Sequence, residues 1–303
     1  MEKSVLTVSV GIPAYNEAAN IRQLLKALLA QQQDGFTVKE IIVVSDGSTD
    51  RTAAFVRSIA DRRIQLVELR QREGKTAAQN RIVAGIRGDV LVMLDADVLP
   101  GDEDFLQEIV SPLQQNERVG LVGADVLSAP PRGIFESVIA CSHTLKRRVF
   151  KQLHGGDNVY LCHGRARAFS RAFCRQLRWP DVFSEDAYSY LACRRDGLRF
   201  VFAPAARVIF RSPRTLADHA KQSGRFSTSK RQLVQHFDHR FVHEHFHIPA
   251  FVLLSASAWS LVHHPLLTLS YGFIMIGVRV YERLRPLPPA TYEVATSSKD
   301  ISI

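Results

Sequence analysis

Short runs of β-branched and aliphatic residues at 5–12, 38–45, 64–69, 90–95 and 119–125 alternate with stretches whose apolar positions recur at helical spacing. This alternation predicts βαβ units and a mainly parallel sheet. In the first intervening stretch, Ile21, Leu24, Leu25, Leu28 and Leu29 fall at i, i+3, i+4, i+7 and i+8, one apolar stripe of a helix packed on the sheet. The alternation lapses after residue 125, and Ala129-Pro130-Pro131-Arg132-Gly133 breaks the chain. Beyond it Ile134, Val138, Ile139, Leu145, Val149 and Leu153 are interleaved with Lys146, Arg147, Arg148 and Lys151, which predicts a basic amphipathic helix. Such a helix suits an ordinary surface, an anionic membrane or an acceptor cleft.

Residues 248–278 form 31 consecutive positions without Asp, Glu, Lys or Arg. One straight helix of that length would run about 46 Å, longer than a hydrocarbon core of about 30 Å. His263-His264-Pro265 interrupts it midway, and Arg240, Arg279, Arg283 and Arg285 flank it. Positive flanks at both ends predict a monotopic or re-entrant hairpin, with a buried helical hairpin as the alternative. The tail from Pro286 carries prolines and serines and reads as flexible.

Composition narrows the class. With 46% hydrophobic and 23% charged residues, the 303-residue chain is globular rather than disordered or fibrous. A net charge of +9 favours anionic partners: nucleic acid, phosphorylated ligands or an anionic membrane face. Cys141, Cys162, Cys174 and Cys193 show no zinc spacing and no C-x-x-C, so they read as packing residues in a reducing compartment. The N-terminal stretch has no apolar signal region, which places the expected site of action in the cytoplasm.

The candidate chemistry sits where the strands end, the place at which open parallel sheets bind ligands. Strand one ends in Pro13-Ala14-Tyr15-Asn16-Glu17, strand two in Ser45-Asp46-Gly47-Ser48-Thr49-Asp50, and strand four in Asp95-Ala96-Asp97. Asp95 and Asp97, at i and i+2, aim two carboxylates the same way. Such a pair suits a hard divalent cation, Mg2+ or Mn2+, that leaves room for substrate phosphates. Glu73-Gly74-Lys75-Thr76 imitates the end of a P-loop, but Leu69 stands where that loop needs its first glycine. No G-x-G-x-x-G follows strand one, which disfavours a dinucleotide fold.

Together, the segments 11–17, 43–50, 74–80 and 94–98 resemble, in order and spacing, the motifs of the family-2 glycosyltransferases. The similarity continues through His163-Gly164, Arg171, Ser184-Glu185-Asp186, Gly197-Leu198-Arg199, Pro204 and Gln222-Ser223-Gly224-Arg225-Phe226, and so covers about residues 5–230. It implies a GT-A fold: a mixed, mainly parallel, Rossmann-like nucleotide-sugar-binding sheet flanked by helices, with the C-terminal hydrophobic helical segment appended. It further implies a nucleotide diphosphate sugar donor and inversion at the anomeric carbon. On that resemblance Pro13, Tyr15, Glu17 and Asp46 surround the nucleoside, with Lys75 near the base or phosphates and Asp95 beside them. Asp97 and Asp95 hold Mg2+ or Mn2+, Asp97 more directly, and Asp186 is the general base that takes a proton from an acceptor hydroxyl. Glu185, His163 and Gly164 border the acceptor side, while Gln222, Arg225 and Phe226 form a Q-x-x-R-F variant of the family's Q-x-x-R-W motif. Two departures stand out: Ser45 replaces an aspartate, and Phe226 replaces tryptophan.

Two other readings compete. His243-Glu244-His245-Phe246-His247 spells H-E-x-x-H and would make a zinc hydrolase of His243, Glu244 and His247, although Glu282 is the next acidic residue beyond it. Arg165, Arg167, Arg171, Arg175 and Arg178 motivate nucleic-acid binding, without any recognisable nucleic-acid module. The expected organisation is a catalytic domain at 1–235 (nucleotide half 1–125, acceptor half 126–235), a membrane-associated segment at 236–285 and a tail at 286–303. The expected activity transfers one sugar to a lipid-linked or other glycan acceptor on the cytoplasmic face of an anionic membrane, through residues 248–280, with no nucleic acid as partner.

Overall fold

The computed structural model describes residues 5–284 and Ile301, apart from the side chains of 221, 224–228 and 281–284. The first half follows β1 (Leu6–Ala14), α1 (Ile21–Leu29), β2 (Phe36–Asp46), α2 (Thr52–Arg57), β3 (Ile64–Leu69), α3 (Lys75–Gly85), β4 (Val90–Leu94), β5 (Val98–Pro100), α4 (Phe105–Gln115) and β6 (Val119–Ser128). The second half adds α5 (Ile134–Gln152), a 3-10 turn at Leu153–Gly156, β7 (Ala166–Ser170), α6 (Arg171–Gln176), α7 (Glu185–Arg195), β8 (Arg199–Phe210), α8 (Leu216–Leu233), α9 (His239–His245), α10 (Ala250–His263) and α11 (Pro265–Leu284).

Eight strands form one sheet in the order β3-β2-β1-β4-β7-β6-β8-β5. The pairs β1–β2, β2–β3, β1–β4 and β6–β8 are parallel, whereas β7 runs antiparallel to both β4 and β6, and β5 antiparallel to β8. From β1 the chain builds outward through β2 and β3, then returns to lay β4 on the other side of β1. The carboxyl ends of β1 and β4 therefore flank a topological switch point, where loops diverge and leave a crevice.

The apolar runs become strands because helices cover the sheet on both faces. In β1, seven consecutive residues from Val8 to Ala14 are buried, which requires partners above and below. On one side the predicted stripe of α1 buries Ile21, Leu24, Leu25 and Leu28. On the other side α3 approaches so closely that a Cβ on Gly11 would lie 2.4 Å from Ile82 Cγ2. Strands β5, β7 and β8 were not visible as apolar runs. β5 is three residues long, β7 carries Arg167, and β8 mixes Pro204 with Arg199 and Arg207, all tolerated because neighbouring strands supply the pairing.

The basic helix expected after the Pro-Pro break is α5, but Ile134, placed on its apolar stripe, is 85% exposed. Its inward face is instead Glu136, Val138, Ile139, Ser142 and Val149. Glu136 is buried because Arg211 Nη1 donates to it at 2.9 Å, both side chains being almost fully enclosed. The hydrophobic segment is broken where the sequence suggested, at His264, between α10 and α11. Ser260 and Thr268, eight residues apart, are joined across the break by hydroxyls 2.7 Å from one another. The two helices pack on α5, and α11 also packs on α8. Val149 and Leu153 meet Val252 and Ala256 there, and the Arg148 guanidinium lies 4.3 Å from the Trp259 ring centroid. Large apolar side chains nevertheless remain exposed, among them Phe251, Leu254, Val262, Leu266, Phe273 and Ile276. By length and composition alone, the stretch His239–His263 is long and apolar enough to cross a membrane. The tail lies outside the described residues except Ile301, which is buried and donates its N–H to Asn20 Oδ1 at 3.2 Å.

Candidate active site

The loops after β1 and β2 are bound together before any ligand arrives. Asn16 adopts a left-handed φ of 53°, and its side-chain carbonyl accepts the N–H groups of Thr49 at 2.8 Å and Asp50 at 3.3 Å. Its own N–H donates to Ser48 Oγ, which in turn accepts from Ser45 Oγ. Ser45, the departure from the family pattern, is thus a buried strut of this turn. Pro13 is buried in β1 opposite Val44, and Tyr15 lies under the Arg72 guanidinium, 4.1 Å from its ring centroid. Glu17 lines the cleft described below while accepting from Asn20 Nδ2 at 3.0 Å.

Asp46 is also buried, and both its oxygens are engaged by backbone: Glu73 N donates at 2.6 Å and Gly74 N at 2.9 Å. This contact fixes where α3 begins. Gly74, at φ 101°, turns the chain so that Lys75 becomes the first residue of the helix and projects toward the sheet ends. Further along α3, Asn80 exchanges two hydrogen bonds with the backbone of Trp179, at 2.8 and 3.0 Å. Trp179 Nε1 then donates to the Glu185 carbonyl at 3.0 Å. A residue of the third motif therefore holds the start of α7 in place.

At the centre, Lys75 Nζ lies 2.6 Å from Asp95 Oδ1 and 2.7 Å from Glu185 Oε1. Beneath them Arg167, wholly buried in β7, approaches Glu185 at 3.7 Å and donates to the Glu185 carbonyl and to Ser189 Oγ. Burial pushes the Glu185 carboxyl up, but the Lys75 and Arg167 charges outweigh it and hold it below the usual carboxylate range. Asp95 shifts the other way: burial and its neighbours Asp97 and Glu185 raise it despite Lys75. Lys75 stays protonated because Asp95 and Glu185 overcome its own burial. Asp97 lines the same cleft, and among the described residues its carboxylate has no hydrogen-bond or ion-pair partner.

Asp186 sits in the first turn of α7. Its Oδ2 accepts the Gly164 N–H at 3.1 Å and its Oδ1 the Ala187 N–H at 2.8 Å. Burial, followed by the Glu185 charge, raises its pKa. A Cβ on Gly164 would lie 2.9 Å from Glu185 Oε1 and 3.4 Å from Asp186 Oδ2, so a side chain there would push on the carboxylate that Lys75 holds. Ser184 does not cap α7 with its side chain; its hydroxyl instead meets Ser229 of α8.

These residues open on one cleft of about 920 Å3. Glu17, Lys75, Asp95, Asp97, His163, Gly164, Glu185, Asp186 and Gln222 all line it. The side chains of Arg225 and Phe226 lie outside the described residues, although both positions fall within α8. A pair of carboxylates with one of them free suits a hard divalent cation that completes its shell with ligand oxygens. Among the described residues no group of three His, Cys, Asp or Glu side chains is arranged to hold a metal without such help.

Sequence reasoning missed Arg167, Trp179 and Ser189 as supports of Glu185, whereas α5 lines the cleft, one of the settings its basic face suggested. Arg165 and Arg167 had been grouped with a basic surface, but their i, i+2 spacing after His163-Gly164 was the available signal: both enter the site. The nucleic-acid reading loses its continuous stripe accordingly. Arg171 faces Asp89 at 3.5 Å, and Arg178 donates to the Leu177 carbonyl at 2.7 Å. On the α5 side Arg147 and Lys151 both pair with Asp125. The H-E-x-x-H reading fails on geometry as well. Helix α9 stops at His245, and His243 and His247 merely stack, with ring centroids 6.3 Å apart. The cysteines are free thiols, three of them buried, and burial pushes Cys193 up to about 12, so they are packing groups.

Comparison with known proteins gives the same fold. A mannosyltransferase from Pyrobaculum calidifontis, solved with GDP-Man and Mn2+, superposes with a TM-score of 0.61 at 21% identity, covering 92% of this chain and 81% of that one. Glucosyl-3-phosphoglycerate synthase from Mycobacterium tuberculosis, solved with Mn2+, UDP and phosphoglyceric acid, gives 0.54 at 24% identity, covering 73% and 76%. These likenesses establish the GT-A fold. Among curated proteins, an undecaprenyl-phosphate 4-deoxy-4-formamido-L-arabinose transferase of Edwardsiella ictaluri is 35% identical over 129 residues, 41% of this chain and 39% of that protein. An N-acetylglucosaminyltransferase of Azorhizobium caulinodans is 26% identical over 239 residues, 73% of this chain and 59% of that protein. The chain thus spans 39 to 59% of the length of these two relatives. The family model for glycosyl transferase family 2 matches residues 9–178, more than half of the chain, and the protein belongs to that family.

Proposed function

We propose that this chain is a metal-dependent, inverting glycosyltransferase that moves one sugar from a nucleotide diphosphate sugar to a hydroxyl of a lipid-linked or other membrane-proximal glycan acceptor. The observation that carries this reading is the convergence of the free Asp97, the Lys75-bridged Asp95 and Glu185, and the buried Asp186 on one cleft at the sheet's switch point. Residues 1–235 form the catalytic domain, with the nucleoside at the β1 and β2 ends near Tyr15 and Glu17. Asp97, with Asp95, would hold Mg2+ or Mn2+, whose charge stabilises the departing diphosphate. Mn2+ in the solved neighbours named above favours that assignment.

Asp186 accepts the proton of the acceptor hydroxyl as the oxygen attacks the anomeric carbon and the bond to the diphosphate oxygen breaks on the opposite face. Its raised pKa brings it nearer the operating pH, which suits a base. The Gly164 N–H steadies the oxygen of Asp186 that it touches, and the Lys75–Glu185–Arg167 chain fixes the start of α7. Residues 236–285 associate with the cytoplasmic face of an anionic membrane through the exposed apolar side chains of α10 and α11. Cell-surface glycan synthesis is the setting such an acceptor implies.

The test is calorimetric titration of the full chain with UDP, GDP, TDP and ADP, each with and without Mn2+. One diphosphate should bind only with the metal, and Asp97→Asn should abolish that binding. Asp186→Asn should keep it while lowering turnover by about 10²–10⁴-fold. Failure of all four diphosphates to bind in Mn2+ would overturn the reading.

A further inference from the structure

The cleft extends past the carboxylates into a chamber between α5, α8 and α11 whose polar groups the transfer step does not use. Its walls carry His143, Lys146, Arg165, His219, Tyr271 and Arg279. Arg165 is held flat over Phe210, 3.8 Å from the ring centroid, with Nη1 3.3 Å from His163 Nε2. His143 is oriented by Ser128 Oγ at 2.9 Å from its Nδ1 and packs against the same Phe210 ring. Across the chamber, Tyr271 is shared by the Lys146 ammonium, 5.5 Å from its centroid, and by the His219 ring at 6.3 Å.

Three observations mark the chamber as built for an anion. Among the described residues Lys146, Arg165 and Arg279 have no carboxylate partner, in contrast to Arg147 and Lys151 on the same helix as Lys146. His219 lines the cleft and is 4% exposed, yet among the described residues its Nε2 has no hydrogen-bond partner. Among the described residues, the groups acting on His143 are Lys146, Arg165 and His219, and on His219 Lys146; burial first, then the Lys146 and Arg165 charges on His143 and the Lys146 charge on His219, lower the two imidazoles to about 3 and about 4. Both rings are therefore neutral N–H donors at neutral pH, beside uncompensated cations. Lys146 and Arg165 are partly buried, Arg279 lies exposed at the rim, and Arg165 Nε is buried without a hydrogen-bond partner among the described residues; partly desolvated cations and unmet polar atoms are unfavourable unless a ligand supplies the opposite charge.

We propose that Lys146, Arg165, His143 and His219 form a subsite for a phosphate group carried by the acceptor, with the apolar part of that acceptor lying along α10 and α11. The proposal rests on the transferase reading above and names the chemistry of its acceptor. The donor's phosphates belong to the Asp95 and Asp97 end, whereas this chamber opens toward Leu253, Met275 and Val278, the apolar side of the cleft. A cationic chamber with an apolar wall matches an amphiphile whose polar head is a phosphate.

The experiment titrates the full chain with farnesyl phosphate, farnesol and glycerol 3-phosphate, and separately with the nucleoside diphosphates in Mn2+. Wild type should bind a phosphate and not farnesol. Lys146→Gln should weaken phosphate binding about tenfold, as expected for one charge-assisted hydrogen bond, and Lys146→Arg should restore it. Nucleoside diphosphate affinity should be unmoved in both variants, and equal melting temperatures confirm that they are folded. Binding of farnesyl phosphate alone identifies a lipid head group, and binding of glycerol 3-phosphate as well identifies a soluble phosphorylated acceptor; either supports the subsite. Equal binding of farnesol, no binding of any phosphate, or indifference to Lys146→Gln overturns it. So does an equal loss of nucleoside diphosphate binding, which would assign the chamber to the donor. Since the diphosphates are read separately, failure of the transferase reading is distinguishable from failure of the subsite.

Discussion

Lys75→Met removes the one ammonium that joins Asp95 to Glu185 and leaves two part-buried carboxylates facing each other, with Asp97 and Asp186 close by. Removing one partner of a buried ion pair costs about 3–5 kcal/mol, chiefly because the stranded charge stays desolvated. Lys75 is 27% exposed and Arg167 still faces Glu185, so the lower end, about 3 kcal/mol, is the expected loss. For a 303-residue chain that corresponds to a fall in melting temperature of about 5 °C. The assay is thermal and urea unfolding of wild type and variant between about pH 8 and about pH 5.

The pH dependence has a definite sign. In the wild type Glu185 has a folded pKa below its unfolded value, so its contribution is present above the unfolded value and lost as pH falls through the folded one. In the variant the lowering influence of Lys75 on both carboxylates is gone, their folded pKa values rise, and the folded state gains stability as pH falls through them. The gap between the proteins should therefore narrow on acidification. A loss below about 1 kcal/mol at neutral pH, or a gap that widens toward acid, would refute the account of Lys75 as the counter-charge of this site.

Gly47→Ala should destabilise the second-motif turn by about 2–4 kcal/mol, since φ is +64° and a Cβ would meet Arg72 N at 2.4 Å, both of them backbone constraints; a urea midpoint within error of wild type would contradict it. A Leu266→Glu, Phe273→Glu double variant places two charges on exposed apolar positions of α11, so co-sedimentation with anionic vesicles should drop while nucleoside diphosphate binding is retained. Unchanged co-sedimentation would remove α11 from the membrane surface.

The sequence by itself determined the parallel half of the fold and the identity of its strand-end motifs. Short continuous apolar runs and a 3.6-period stripe are local patterns, and burial of Val8 to Ala14 and of Ile21, Leu24, Leu25 and Leu28 simply realises them. Asp95 and Asp97 were legible for the same reason, since their i, i+2 spacing fixes which way the two side chains point, whereas Asp186 was singled out only by the family resemblance. What lay beyond reach depended on contacts between distant residues. Arg167 is tolerated in the core because Glu185 and Ser189, far along the chain, meet it there. Asp46 gives both oxygens to the backbone that starts α3, which no spacing announces. Only the tertiary placement of α5, packed on α10 and α11 and reaching Asp125 of β6, sorted its row of cations, pairing Arg147 and Lys151 with Asp125 and leaving Lys146 lining the cleft. Charge along a helix is written in the sequence, but its counter-charge depends on which elements the fold brings alongside.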